Sequence, residues 1–373
     1  MEISMDLTTI SGLVVANISD ADSWNGVYSN IQALQAITAI LSIIGSGFVS
    51  GYAFFQYGLK LQEACSFFCL SVSNLLLAIC WLLGAFVFRK SDFSRDIVCY
   101  NIQAVGQILY LSTFFYTVNY MWQLCKSLKR TLDNTLDPIS NTERCIAIAA
   151  SIVSSVLPVC LAVPKLYIGN SNGCYGNSTN PHSCLVVNVG SLITIDWQAY
   201  TNDSCKQIHL YGTSGFLFVF FLTAVSMLVL LGYVLYFLRA RQITDEQRVV
   251  IVMTKWRLLL LMIIFFFCSM SAVMLAFRKL VNHAEKSEID EILYYFQAFT
   301  AVSQGFFSFL AFWFTLCLER NLKQKSCHDV ETQTLLMRSQ KRQYASTQTT
   351  NVHAAQLQRT FLNRSRATTD IAV

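Results

Sequence analysis

Charge is what this chain has least of. Asp, Glu, Lys and Arg make up 13% of its 373 residues, about half the roughly 25% usual in soluble domains. Histidine occurs five times and proline four times, whereas 54% of residues are apolar and the mean hydropathy is +0.45. A soluble globule of this make-up would leave too much apolar surface facing water, so a cytosolic enzyme is excluded as the leading class. The five histidines (His182, His209, His283, His328 and His353) are placed on the outer side of the membrane, at a helix edge or in the tail. None pairs with another at ligand spacing on one helix, which disfavours a metal hydrolase; neither metal nor cofactor is expected. There is no phosphate-cradling glycine loop and no supported nucleophile–base pair, so the chain is read as not an enzyme. Intramembrane carboxylates, which an ion-coupled transporter would need, are missing. No fixed-period repeat points to a repeat-built transporter. The net charge of +5 is modest and unevenly placed, and it gives no reason to expect nucleic acid.

What the chain does have is long apolar runs. Seven of them, near 31–57, 64–88, 98–125, 143–164, 208–238, 256–277 and 291–318, meet the roughly 20 residues that a spanning helix needs. The bilayer is therefore the first partner. The expected fold is an all-α bundle of seven transmembrane helices. It has a short N-terminal segment over 1–30, the helical domain over 31–318 with a long loop near 165–207, and a tail over 319–373. No cleavable signal is evident, since the first thirty residues contain no Lys or Arg; the first helix is expected to start insertion itself.

Charge asymmetry orients the bundle. With the N-terminus outside, 19 of the 27 cations lie at cytosolic loops, helix ends and the tail. Glycosylation sequons at Asn17, Asn177 and Asn202 then all fall outside. So do Cys99, Cys174, Cys184 and Cys205, an even number on the oxidising side. Three pairings of these four are open; Cys99–Cys205 with Cys174–Cys184 is the expectation adopted here. The remaining cysteines, such as Cys65, Cys69, Cys80, Cys160 and Cys268, read as small apolar packers.

Seven helices, an outside N-terminus and a bridge from the third helix to the second outer loop together resemble a G-protein-coupled receptor. The third helix ends Asn119-Tyr120-Met121-Trp122, with no Asp-Arg-Tyr; the sixth has no proline and the seventh no Asn-Pro-x-x-Tyr. Rhodopsin-like signatures are thus absent. Ser303-Gln304-Gly305-Phe306-Phe307 and Phe114-Phe115-Tyr116-Thr117-Val118 are instead similar to patterns of the secretin, adhesion and cyclic-AMP-receptor-like group. From about residue 143 onward the resemblance narrows. Gly173-Cys174-Tyr175 with Ser183-Cys184, Thr300 through Gly305, and Glu331 through Leu336 leading to Ser339-Gln340-Lys341-Arg342 resemble the transmembrane protein 116 family. That resemblance implies a receptor-like fold more strongly than any ligand or G protein.

Polar residues inside spans are costly unless paired, which makes them the first pocket candidates. Gln103, Gln107 and Tyr110 share one face of the third helix, and Gln297, Thr300 and Gln304 one face of the seventh. Together they are expected to line a pocket for a small neutral or amphipathic ligand of unknown identity. The competing reading is that these groups only bond helix to helix. Asn74 and Asn119 sit deeper and read as structural or switch residues, Gly45 and Gly47 as close helix contacts, and Pro158 as a bend in the fourth helix. On the cytosolic face Lys129, Arg130, Arg239, Arg241 and Arg248 form a cationic rim, a candidate dock for a heterotrimeric G protein.

The tail is rich in Ser, Thr, Gln and Arg and is expected to be disordered. Cys327 is a palmitoylation candidate. Thr332-Gln333-Thr334 and Thr347-Gln348-Thr349 resemble the anchor bound by the dynein light chain. Glu331 through Leu335-Leu336 resembles an acidic dileucine signal for clathrin adaptors. The reading is an orphan receptor of the plasma membrane, with an endosomal pool allowed. The alternatives are a scaffold or trafficking protein acting through its tail, and a facilitator of neutral solutes.

Overall fold

The computed structural model describes residues 7–57, 62–87, 93–133, 141–174, 203–240, 245–281, 288–322 and 324. Almost all of these residues are helical. The apolar runs impose this outcome, because a backbone in lipid must satisfy its N–H and C=O groups within its own segment. The helices are α1 (Leu7–Tyr57), α2 (Gln62–Val87), α3 (Phe93–Asp133), α4 (Asn141–Ser171), α5 (Asp203–Ala240), α6 (Asp245–Val281) and α7 (Glu288–Thr300), followed by α8 (Gln304–Leu322).

Among the described residues, six helices are long and apolar enough to cross a membrane: Gly26–Phe55, Cys65–Val87, Ile97–Asp133, Asn141–Ser171, Asp203–Arg239 and Val250–Arg278. The expected seventh run is not one straight helix. It is the pair α7 and α8, bent by 48° over a short break, and it counts as a seventh span when the two are taken together. Pro158 does not interrupt α4; it and Pro164 both lie inside one continuous helix.

The chain divides into two units, Met1–Thr315 and Leu316–Val373; everything below concerns the first. Within it each helix packs on its sequence neighbours, and α7 returns to α1, which closes a ring. Helix α3 also packs on α5 and α6 and so occupies the middle. Its buried residues (Tyr110, Leu111, Phe114, Met121, Leu124) anchor the main core cluster with Trp81, Phe216, Met227, Leu258 and Phe265. Helix α4 is peripheral, with 22% of its most apolar window buried. Large apolar side chains such as Ile37, Ile44, Phe55, Phe218, Val229 and Ile263 are exposed around the outside. That is the side lipid would cover.

Gly45 lets α1 and α8 approach closely, as expected: a Cβ there would lie 3.1 Å from the Phe306 Cα and 3.2 Å from the Gly305 oxygen. Gly47 faces open space, so it has no such role in this bundle.

Candidate functional site

One end of the bundle carries the disulfides. Cys174, just past α4, is bonded to Cys205 at the start of α5, with Cα atoms 5.7 Å apart. This corrects the expected pairing. Cys174 lies where α4 ends and Cys205 where α5 begins, so the helix ends themselves select the bond. Cys99, buried near the start of α3, is also disulfide-bonded. Cys184 lies outside the described residues, as do Asn177 and Asn202; Asn17 falls within α1.

Just below this tie sits a polar cluster that links α3, α4 and α5. Helix α4 buries a single face, formed by Ala147, Ser154, Pro158, Ala162, Lys165 and Gly169. Lys165 is therefore turned into the bundle, where it is 4% exposed. Its ammonium donates to the Gln107 Oε1 at 2.6 Å. The Tyr100 hydroxyl donates to the Lys165 carbonyl at 2.7 Å, and the Asn170 amide donates to the Asn101 Oδ1 at 3.1 Å. Gly212 of α5 leaves the space the ammonium fills, since a Cβ there would stand 2.6 Å from Nζ and 2.7 Å from Cε.

The middle of the bundle is an aromatic plug with polar threads. Phe114 packs on Tyr110, Phe216, Phe220 and Phe265 with ring centroids 4.9–6.3 Å apart. The Tyr110 hydroxyl donates to the Cys268 carbonyl at 3.1 Å. Thr300 pairs with Ser271 at 3.0 Å, and the Gln304 amide donates to the Thr113 hydroxyl at 3.3 Å. The α7/α8 break is held from α1 on both sides: Thr38 donates to the Ala298 carbonyl at 3.2 Å, and the Gly305 N–H donates to the Ser42 hydroxyl at 3.1 Å. Gln297 is fully buried, and among the described residues both its amide atoms lack a partner.

The expected pocket residues are thus buried or half-buried in the bundle, but they do not all face one another. Gln304 meets α3, Tyr110 and Thr300 meet α6, and Gln107 meets α4. Gln103 is half-buried. A cleft of about 210 Å³ does exist among the described residues, but on the α2–α3–α4 flank, lined by Cys65, Cys69, Tyr116, Gln123, Ser151 and Ser155, among others. Around it Asn119 and Gln123 donate to the Ser66 hydroxyl, and Asn119 also to Ser151, so Asn119 is a helix-to-helix tie.

At the opposite end Arg130 forms an ion pair with Glu143 and so ties α3 to α4. Lys129 and Arg239 are exposed. Arg241 lies outside the described residues, as do Cys327 and the Thr332-Gln333-Thr334, Leu335-Leu336 and Thr347-Gln348-Thr349 segments; Arg248 lies in α6 with its side chain outside them.

Sequence reasoning missed two features. The expected fourth run, 143–164, stops just short of Lys165 and leaves it to the loop, whereas α4 continues through it to Ser171. Arg278 at the end of α6 pairs with the buried Asp290 of α7 at 3.4 Å. Residues 28–346, most of the chain, match the family model described as Transmembrane protein 116.

Proposed function

The chain belongs to the Transmembrane protein 116 family, and we propose that it is a receptor of the G-protein-coupled type, without catalytic chemistry of its own. The observation that carries this reading is the position of α3. It is packed by α2, α4, α5 and α6 and runs from the Lys165–Gln107 contact to the Arg130–Glu143 pair. A ligand that changes how α3 sits at one end therefore has a long, centrally packed element through which to favour another arrangement at the far end.

In this reading the disulfide end faces the outside of the cell, because disulfides persist in oxidising compartments. The opposite end faces the cytosol and offers Lys129, Arg239, Arg241 and Arg248 to a heterotrimeric G protein. Arg130 contributes less, being engaged with Glu143. The plasma membrane is the proposed location. The tail segments that resemble dynein-light-chain and clathrin-adaptor ligands would govern trafficking.

The test is G-protein activation in intact cells, with one sensor for each G-protein class. The native chain is compared, at matched surface expression, with one in which Lys129, Arg239, Arg241 and Arg248 are replaced by Gln. Signalling by the native chain that falls at least tenfold in the variant supports the reading. A response unchanged by the four substitutions rejects the proposed surface.

A further inference from the structure

A protonated lysine in a membrane span normally snorkels to the nearest interface. Lys165 lies six residues before the end of α4, yet it turns inward on that helix's one buried face. There it is 4% exposed, and among the described residues no carboxylate pairs with it. Its one side-chain partner among the described residues is the neutral Gln107 oxygen, at 2.6 Å. A buried charge without a counter-charge is strongly unfavourable. The fold nevertheless makes room for it, through the missing side chain of Gly212.

Two polar groups beside Lys165 are left without a partner among the described residues. Gln107 is 2% exposed, and its Nε2, on the same amide that holds Lys165, has no partner among the described residues. Thr213, next to Gly212, is 1% exposed, and its hydroxyl has no partner among the described residues. The ammonium itself has two N–H groups beyond the one given to Gln107. One helical turn further along α3 and α5 come Tyr110 and Phe216, whose rings stack 6.1 Å apart and belong to the aromatic plug.

We propose that Lys165 and the Gln107 amide hold the carboxylate of a small amphipathic monocarboxylate, whose apolar part lies against the Tyr110–Phe216 side. One buried cation matches one negative charge. Two carboxylate oxygens match the two kinds of donor, ammonium and amide, and such bonds to an ionised group are the strong ones. The carboxylate supplies the missing counter-charge. The inference deepens the receptor reading and rests on it for its biological meaning, though the site is testable without any signalling.

The experiment uses the full chain purified in lipid nanodiscs, with unfolding followed by intrinsic fluorescence. Sodium hexanoate is titrated at constant ionic strength, against hexanol and sodium chloride. The native chain should gain several degrees in melting temperature, saturably, from hexanoate alone. Lys165→Met should lose that shift, and Lys165→Arg should keep most of it. Gly212→Ala, whose new methyl group displaces the ammonium, should lose it as well, and it carries the comparison if Lys165→Met fails to fold. No shift in the native chain, an equal shift in Lys165→Met or Gly212→Ala, or an equal shift from chloride overturns the proposal. A hexanoate shift without any G-protein response would leave the site standing and count against the receptor. A G-protein response without a hexanoate shift would do the reverse.

Discussion

Gly305 has no room for a methyl group. A Cβ there would lie 3.0 Å from the Ser42 carbonyl and inside contact distance of the Ser42 and Ser46 hydroxyls. The residue also donates its N–H to Ser42, so it fixes α8 against α1 just after the break. Gly305→Ala should destabilise the bundle by about 1–3 kcal/mol, as overpacking does. Gly47→Ala, with nothing within 4 Å, should be neutral or raise stability by up to about 1 kcal/mol through helix propensity. Thermal unfolding of the two purified variants side by side checks this. The contrast also shows what sequence could tell. Two glycines, two residues apart on α1, looked alike, and only the facing helix separates Gly45 from Gly47. Lys165 was hidden for a different reason. A charge ends an apolar run by any hydropathy criterion, so a lysine inside the bundle reads as a lysine at its edge.

At the scale of elements, two ties hold helix ends together, and each yields a prediction. Arg278 and Asp290 join α6 to α7 at 3.4 Å with both side chains largely shielded. Removing one partner takes this ion pair from the other, whereas removing both leaves neither half of it behind. Arg278→Gln or Asp290→Asn alone should each cost roughly 2 kcal/mol, and the double variant less than their sum by about 1 kcal/mol. A double-mutant cycle in thermal unfolding measures that coupling, and a fully additive result would contradict the account. The Cys174–Cys205 bond spans 31 residues. Replacing both with Ser should cost about 2–4 kcal/mol. Non-reduced peptide mapping should recover Cys174 joined to Cys205, and peptides joining Cys99 to Cys205 would overturn the assignment. Four cysteines permit three pairings, so the sequence could show that bonds form but not which. The α7/α8 break was equally illegible. Thr300-Ala301-Val302-Ser303 contains neither Gly nor Pro, and what receives the bend is Thr38 and Ser42 on a helix more than 250 residues away in sequence.

At the scale of the whole molecule, the bundle was the most legible part. Apolar runs long enough to span, and a tail poor in apolar residues, follow from what lipid demands of a backbone. Six of the runs are single helices near their expected bounds, and the seventh is the bent pair. Which polar residues face which was not legible, because a helix repeats every 3.6 residues and has several plausible partners. The proposed orientation predicts that labels added to the disulfide end are reached from outside intact cells, and that labels in the loop between α5 and α6 are not.

The central claim is that the end opposite the disulfides binds a heterotrimeric G protein. The most direct measurement is complex formation between the purified full chain, in lipid nanodiscs, and purified heterotrimers of each class. Guanine nucleotide is removed enzymatically, and complexes are separated by size-exclusion chromatography. The account predicts that at least one class co-elutes with the native chain, is released by added GTP, and binds at least tenfold less of the chain with Lys129, Arg239, Arg241 and Arg248 replaced by Gln. Failure of every class to co-elute with a folded native chain, or equal capture by the substituted chain, would contradict it.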